Sequence, residues 1–494
     1  MKTRDRMAGK VLIVGNHPLV DNLVRQYEEI HYVVDCRQEV TTQTININDY
    51  DELCLLTSVK DVGKEWADYS ILSLIPLLTE DYDVKLHQGK KLLCHMLMQS
   101  QQTLRMLQTT DFCETFRQKV DLYPFSMNDE WCRSIVFDYK PITIQSDMCV
   151  HVVIFGMDEI SEKVAIQAAH VSHFPNYLRN HTLRTRITMI DVNAERKSLD
   201  LRKRYRHLFD NSYYRVVKPS EEQAVRVFHK PMYEGRREDF VDVEWEFVDA
   251  ESWNPDVREK LRLWAQDDKQ LLTIVMADKD VDKNVAMSLF LPDELYQRSI
   301  PIHKYNPNAV EYDVTMPLVQ MAKNVNYIYD RCYNDNIENW QGRVLSSVEI
   351  NPADRDGLWD KLSSVKRWSS IYNAMTIPSK MRSIGLTEDD WDKFYDISQQ
   401  DIEILAQVEH NRWNVEELIL GYRPCTDEEQ EKIAADVATQ KDAFKVRKIH
   451  YDLQAYNDLR PDKTGRSAKV YDLCLSAALP LIVKTFIDEK GGDE

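Results

Sequence analysis

Five residues within one short stretch combine the groups that acid/base chemistry or ligand recognition would need. In DIEILAQVEHNRWNVEELILGY, 401–422, Glu409, His410, Trp413, Glu416 and Glu417 fall on one face of a helix drawn at 100° per residue. A histidine beside a carboxylate can move a proton, and His410 with Glu409 and the later His450 would make an acid/base pair if the fold brings them together. An indole beside them adds contact area with a polar handle. No neighbouring nucleophile or metal signature accompanies the set, so no reaction class follows and no catalytic residue is assigned. The opposite face carries Ile404, Leu405, Val408, Val415, Leu418, Ile419 and Tyr422, the stripe of an amphipathic helix docked on a core. Trp413 must then be covered. Either a later segment folds back over it as a second small core, or its face lines a ligand or partner site.

The downstream sequence suits both accounts. A charged insertion, 427–445, is followed by RKIHYDLQAYNDLRPDKTGRSAKVYDLCLSAALPLIV, read as a loop bearing a histidine and several tyrosines and aspartates before a last helix, 470–483. EHNRWNVEELILGY, then KIHYDLQAYNDL and a closing helix, resembles the ryanodine-receptor repeat, the RyR domain, in its bacterial form. The matching positions are Glu409, His410, Trp413, Gly421, His450, Leu453, Tyr456 and Leu459, over about the last hundred residues. His450-Tyr451 stands where the family has His-Pro, so the turn that proline fixes is missing. The resemblance implies recognition of a small ligand or partner through Glu409, His410, Trp413, His450 and Tyr456.

Two further clusters could do chemistry. Lys366, Arg367, Lys380 and Arg382 are a compact basic set interleaved with aromatics. Arg367, Lys380 and Arg382 either pair with acidic partners or hold a phosphate or nucleotide through the bidentate geometry of arginine. His170 and His173 have metal-compatible spacing near a helix end but no third ligand close in sequence, and are read as structural. No paired carboxylates, nucleophile elbow, Walker loop or His-x-x-x-His is present, and no metal site is expected.

The elements that would position these groups begin with KVLIVG, a helical NHPLVDNLVRQYEEI and HYVVDC, the strand, turn, helix and strand that open a dinucleotide-binding fold. Gly15, Asn16 and His17 form its loop, and Asp35 stands where an acid would hold a ribose. Only one of the three fingerprint glycines is there. Strands are expected at 52–57 and 69–75 and a helix at 86–99. The pattern restarts with VHVVIFG and continues through TRITMIDV, VEWEFV, LLTIVMAD and SIPIHKY. Each is a near-continuous apolar run, as in a parallel sheet covered on both faces. Gly156, Asp158 and Asp191 are the second set of candidate cofactor residues. Asp158 puts a negative charge where a pyrophosphate would lie, a repulsion of about 1 to 4 kcal/mol at effective dielectrics of about 80 to 20. Ordinary NAD is therefore disfavoured, and the cofactor is unknown, with a nucleotide or dinucleotide open.

This second unit resembles the TrkA-N (KTN or RCK) domains of potassium-transport regulators over about Val150 to Tyr305. The fold class is thus α/β: two tandem Rossmann-like parallel-sheet domains, 1–146 and 147–341, a helical connector, 342–396, and a mainly α-helical RyR-like domain, 397–494. In the connector Trp359, Leu362, Val365, Trp368, Ile371, Tyr372 and Met375 recur at helical spacing, with Pro378 expected to end the helix.

Composition bounds the function. A formal charge of −18 argues against a nucleic-acid backbone as direct partner. No apolar run reaches the roughly 18 to 20 residues of a membrane span. The N-terminus lacks a signal-peptide core, and a cytoplasmic location is expected. Nine scattered cysteines without Cys-x-x-Cys read as reduced core thiols. The reading is a non-catalytic sensor or regulator that binds a small nucleotide-type ligand. Tandem Rossmann-like domains are expected to make it a homo-oligomer. The resemblances imply a membrane channel or effector partner in potassium transport, or a role in stress or antiviral signalling. The rival readings are an NAD(P)-dependent oxidoreductase or nucleotide-processing enzyme, and a purely structural assembly protein.

Overall fold

The computed structural model describes residues 9–38, 45–56, 64–109, 114–218, 227–228, 239–334, 349–387, 397–435, 443–461 and 467–491. The chain divides into two compact units. The first comprises Met1–Ser134, Asn306–Pro317 and Asp356–Trp368, and the second Ile135–Tyr305, Leu318–Arg355 and Ser369–Glu494. The stretch 397–494 thus belongs to the second.

The first unit is built on a parallel sheet of β1 (Lys10–Gly15), β2 (Val33–Arg37), β3 (Glu52–Leu56), β4 (Leu92–Leu97) and β5 (Val120–Phe125), in the order β2-β1-β3-β4-β5. This is the doubly wound order in which the chain reverses direction between β1 and β3. Helix α1 (Val20–Glu29) follows β1 and buries Leu23 and Tyr27 against it. The expected strand at 69–75 is instead the middle of helix α2 (Lys64–Thr79). Burial at Ala67, Asp68, Ile71 and Ile75, with Tyr69 65% exposed, follows the helical period. Within the short run YSILSLI that period cannot be told from a strand. The expected helix at 86–99 is corrected the other way. Gly89, at φ +88°, turns the chain into β4, a central strand whose Leu92, Cys94, His95 and Met96 are fully buried. A strand covered on both faces has no alternation to announce it.

The second unit carries a seven-stranded sheet: β6 (Cys149–Phe155), β7 (Thr185–Asp191), β8 (Tyr213–Val217), β9 (Val227–Phe228), β10 (Val243–Asp249), β11 (Gln270–Met276) and β12 (Ile302–Lys304). Their order is β12-β11-β6-β7-β10-β8-β9, all pairings parallel except β8 with β9. Five of its strands, β10-β7-β6-β11-β12, stand in the dinucleotide-fold order 3-2-1-4-5 once the β8-β9 pair is set aside. Helices α3 (Glu159–Val171) and α4 (Ala194–Arg204) follow β6 and β7. The fold class read from the sequence is therefore the observed one.

Further helices of this unit include α5 (Pro317–Asn334), α6 (Gln399–Ile419), α7 (Lys469–Ala477) and α8 (Leu479–Gly491). Helix α6 begins at the Ser398 cap, whose side chain accepts from the Asp401 N–H. Instead of one buried stripe, α6 buries residues around most of its circumference, Glu409, His410, Asn411, Arg412 and Glu416 included. The single helix expected over 470–483 is two, bent by 45°. Pro480 lacks the N–H that an unbroken helix would bond and clashes with the preceding turn. Pro378 likewise opens a helix, Ile377–Ser383, in whose first turn its missing N–H costs nothing. The connector residue Val365 is 38% exposed rather than packed. Among the described residues no single helix is long and apolar enough to cross a membrane.

Candidate functional site

The carboxyl edge of the second sheet is where a doubly wound fold presents its ligand crevice. At the end of β6, Gly156 adopts φ +109°, and a Cβ there would lie 2.9 Å from the Ser161 Oγ. Its N–H donates to the Ile190 carbonyl at 2.9 Å, which holds the loop down on β7. The Met157 N–H donates to Asp191 Oδ2 at 2.8 Å, and Lys197 Nζ donates to Asp191 Oδ1. Asp158 caps α3. Its Oδ1 accepts from the Ile160 and Ser161 N–H groups at 3.0 and 3.1 Å and from the Ser161 hydroxyl at 2.7 Å, while its own N–H donates to that hydroxyl. The amides that could cradle a phosphate at a helix N-terminus thus already bind a carboxylate of the same chain. Lys283, bonded to Asp278, has its pKa raised first by that bond and also by Asp191 and Asp158, a sign of how acidic the edge is.

Beside this loop lies a cleft of about 120 Å³ lined by Met157, Met189, Leu201, Lys197, Asp200, Arg204 and Glu162. Arg204 Nη1 donates to both Glu162 oxygens at 2.6 Å, and the Tyr205 hydroxyl adds a bond at 3.3 Å. The carboxylates of these two ion pairs are largely buried, whereas the side chains of Lys197 and Arg204 are 40% and 49% exposed. Both cations thus stay paired while part of each side chain remains open to solvent. Neither was singled out from sequence. The signal for Arg204 was the basic end of α4, LRKR, which resembles any solvated helix terminus, and Lys197 lies one to two turns earlier with no signal of its own.

In the first unit the loop is closed more firmly. A Cβ on Gly15, φ +138°, would sit 1.7 Å from the Leu56 carbonyl oxygen, so only glycine allows β1 to turn this close to β3. The Asn16 and His17 N–H groups both point at that same oxygen, at 3.1 and 3.4 Å. His17 Nδ1 accepts from the Leu19 N–H, and burial lowers its pKa. Asp35 accepts from Arg37 and, at 2.6 Å, from the Tyr50 hydroxyl. Those bonds, Arg37's first, hold its carboxyl below the usual range.

The α6 face is an interior ion network. Arg412 Nε donates to both Glu409 oxygens at 3.0 Å and its Nη1 donates to Glu416 at 2.6 Å. Lys380 Nζ donates to Glu409 at 2.6 Å, and the Ser369 hydroxyl reaches Glu416 at 3.2 Å. Burial works to raise the Glu409 pKa, but Arg412 and Lys380 together bring it down to about 2. For Glu416, with fewer donors, burial wins and the pKa is raised. His410 lies between the Asp472 carboxylate, 3.1 Å from Nδ1, and the Gln454 carbonyl, 3.0 Å from Nε2. A carbonyl only accepts, so Nε2 carries a proton. Burial raises the Asp472 pKa, against the His410 bond, which lowers it.

Trp413 is half-buried, and the later segment does fold back over it. His450 meets the indole edge-on at 4.8 Å between centroids, His410 lies at 5.5 Å, and Tyr456 stands edge-on to His410 at 5.7 Å. The Tyr456 hydroxyl is buried with no hydrogen-bond partner among the described residues. The structure thus brings together His410, Trp413, His450 and Tyr456, whereas Glu409 turns to Arg412 and Lys380 and His410 to Asp472, so the acid/base pair expected of His410 with Glu409 and His450 is not formed. It does not assemble the basic set. Arg382 bonds Asp138 through both oxygens, at 2.8 and 2.9 Å, and Arg367, in the first unit, bonds Asp121 at 2.7 Å. A cation this buried needs a carboxylate of its own, and each has one in place of a common anion. His170 stacks on Tyr372 at 4.0 Å and His173 bonds Asp242 at 2.8 Å, both as structural groups. Among the described residues no three potential ligands cluster around a metal position.

No family model matches the chain, and no curated protein matches it. Among solved structures it is similar to NtrX from Brucella abortus, at 10% identity and a TM-score of 0.14, over 89% of this chain and 99% of that one. Two further NtrX structures, in complex with ADP and with ATP, match at 10% identity and TM-scores of 0.15 and 0.14, over 89% and 90% of this chain and 97% and 99% of theirs. Scores this low carry no argument about fold or ligand.

Proposed function

We propose that the protein is a non-catalytic, ligand-binding regulator whose second unit takes the anionic part of a nucleotide-type small molecule at the cleft beside β7. The observation that carries this reading is the pairing of Lys197 and Arg204. Both cations border one cleft, keep about half of their side chains in water, and are paired with Asp191 and Glu162, with Asp200 on the same lining. A cleft of about 120 Å³ admits a phosphate or a sugar; the rest of the ligand would lie over the sheet edge. Ordinary dinucleotide binding is opposed by Asp158, whose carboxylate already sits on the α3 amides. Assignment to RyR-like and TrkA-N-like proteins remains part of this proposal, resting on the sequence patterns around Trp413 and Gly156.

Thermal-shift and calorimetric titration with ADP, ATP, NAD⁺, NADP⁺ and cyclic dinucleotides tests it. At least one nucleotide should raise the melting temperature, and Lys197→Ala/Arg204→Ala, whose own unliganded melt falls because Asp191 and Glu162 lose their partners, should abolish that rise. Turnover of NAD(P)H with a hydride acceptor would overturn the non-catalytic reading. The closed Gly15 and Gly156 loops also favour a second reading, a structural assembly protein. No stabilisation by any of these nucleotides, with stable oligomers on a sizing column, would support it instead.

A further inference from the structure

Helices α5 and α7 meet across a buried face that holds two thiols. We propose that Cys332 and Cys474 form an oxidant-responsive modification site, a thiol pair that peroxide converts to a disulfide linking α5 to α7. The two residues are 142 positions apart, yet their Sγ atoms lie 2.6 Å from each other. Both side chains are fully buried. That separation is inside ordinary sulfur contact and approaches the bonded length of about 2.04 Å, so closing the bond needs only a small side-chain movement. The helices are already aligned around the pair. Tyr329 and Tyr333 of α5 stack on Tyr471 of α7, at 5.1 and 6.2 Å between centroids, and the Asn324 amide of α5 donates to the Ile482 carbonyl of α8 at 3.2 Å.

The chemistry balances with hydrogen peroxide as the oxidant. One thiolate attacks a peroxide oxygen, the O–O bond breaks, and hydroxide leaves as water with one proton, giving a sulfenic acid. The second sulfur attacks the first, the S–S bond forms, the S–O bond breaks, and a second water leaves. Two electrons pass from the two sulfurs to the peroxide, and a cytosolic dithiol reverses the step. Burial sets the condition for reaction. Peroxide reaches the pair only when α7 or α8 lifts away, so oxidation is slower than at the exposed Cys36. The link has a local consequence as well. Asp472 is two residues from Cys474 and bonds His410, so a bridged α7 holds that carboxylate against the α6 face.

The test treats the whole protein with hydrogen peroxide under native conditions, then labels remaining thiols with N-ethylmaleimide in denaturant and maps the peptides by mass spectrometry. The Cys332 and Cys474 peptides should lose label together, appear as one cross-linked species, and recover both labels after dithiothreitol. Oxidation should raise the melting temperature of the wild type and leave Cys332→Ala and Cys474→Ala unshifted. Full labelling of both cysteines while Cys36 is oxidised would overturn the proposal, as would cross-links to other cysteines. If a variant fails to fold, the wild-type peptide map decides alone.

Discussion

Replacing Arg412 with methionine tests whether the interior of α6 is held by its ion network. Methionine keeps most of the stem and removes the charge. Glu409 would retain Lys380 at 2.6 Å, but Glu416 would retain only the Ser369 hydroxyl at 3.2 Å, at a position 1% exposed. Removing one partner of a buried pair costs about 3–5 kcal/mol. Each kcal/mol moves the melting temperature of a domain of roughly this size by about 2–4 °C, so the expected loss is on the order of 10 °C. The pH dependence supplies a second readout. In the variant, Glu416 binds a proton more tightly folded than unfolded. Stability therefore falls as pH climbs from about 4.3 through the higher folded value, and the penalty shrinks toward pH 4. Glu409 works in the opposite sense in the wild type. Its folded pKa of about 2 adds stability that is lost as pH drops from about 4.3 to about 2. Calorimetry between about pH 2 and pH 8 on the wild type, Arg412→Met and Arg412→Met/Glu416→Gln separates these effects. The double variant should recover most of the loss, because no unpaired charge remains. A single variant within about 1 kcal/mol of wild type, or a double variant no better than the single, would refute the network as the determinant of this core.

Three further perturbations read other parts of the structure. Glu417 has its pKa raised to about 8, by burial first and by Glu416 next, so it binds more protons folded than unfolded between about 4.3 and 8. Stability should decline across that window, and Glu417→Gln should flatten the decline in melts at pH 6, 7 and 8. Gly15→Ala sets a Cβ 1.7 Å from the Leu56 oxygen at φ +138°, and should destabilise the first unit by about 3 kcal/mol or more in urea titration. Trp413→Ala removes a half-buried indole packed on His450, and should cost about 2 kcal/mol, below the roughly 3–5 of a full core truncation. A loss of under about 0.5 kcal/mol would show that the indole contributes little to the fold and is there to meet a ligand.

The sheets were legible because parallel strands leave a strong mark. KVLIVG, VHVVIFG, TRITMIDV and LLTIVMAD are rich in apolar and β-branched residues over a short span, and all four contain strands. The same property misled at 69–75 and 86–99, where a short apolar run has no period of its own. Only distant neighbours decide: the 67, 71, 75 spacing for α2, and sheet partners on both sides for β4. Strand order was not readable from any segment, since pairing β1 with β3 rather than extending the sheet from β2 depends on where α1 and α2 pack.

The candidate sites show a different limit. A helical wheel treats charge as a surface property, and on that assumption Glu409 and Glu416 fell on an outer face with His410, Trp413 and Glu417. The structure buries Glu409 and Glu416 because Lys380, 29 residues upstream of Glu409, and Ser369, 47 upstream of Glu416, arrive to complete the set. Nothing local in either sequence announces the other. The spacing Glu409, Arg412, Glu416 is nonetheless i, i+3, i+7 with alternating sign, the arrangement that lets one arginine bond two carboxylates on a single helix face. Where such a triplet is flanked by Leu405, Val408, Val415 and Leu418, desolvation makes each charge depend on its partner, and the triplet should be read as interior. The Gly156 loop teaches the same lesson from the other side. Asp158 followed three residues later by Ser161 is a capping box. That reading gives a more local reason for excluding a pyrophosphate than net repulsion does: the helix has already supplied its own anion.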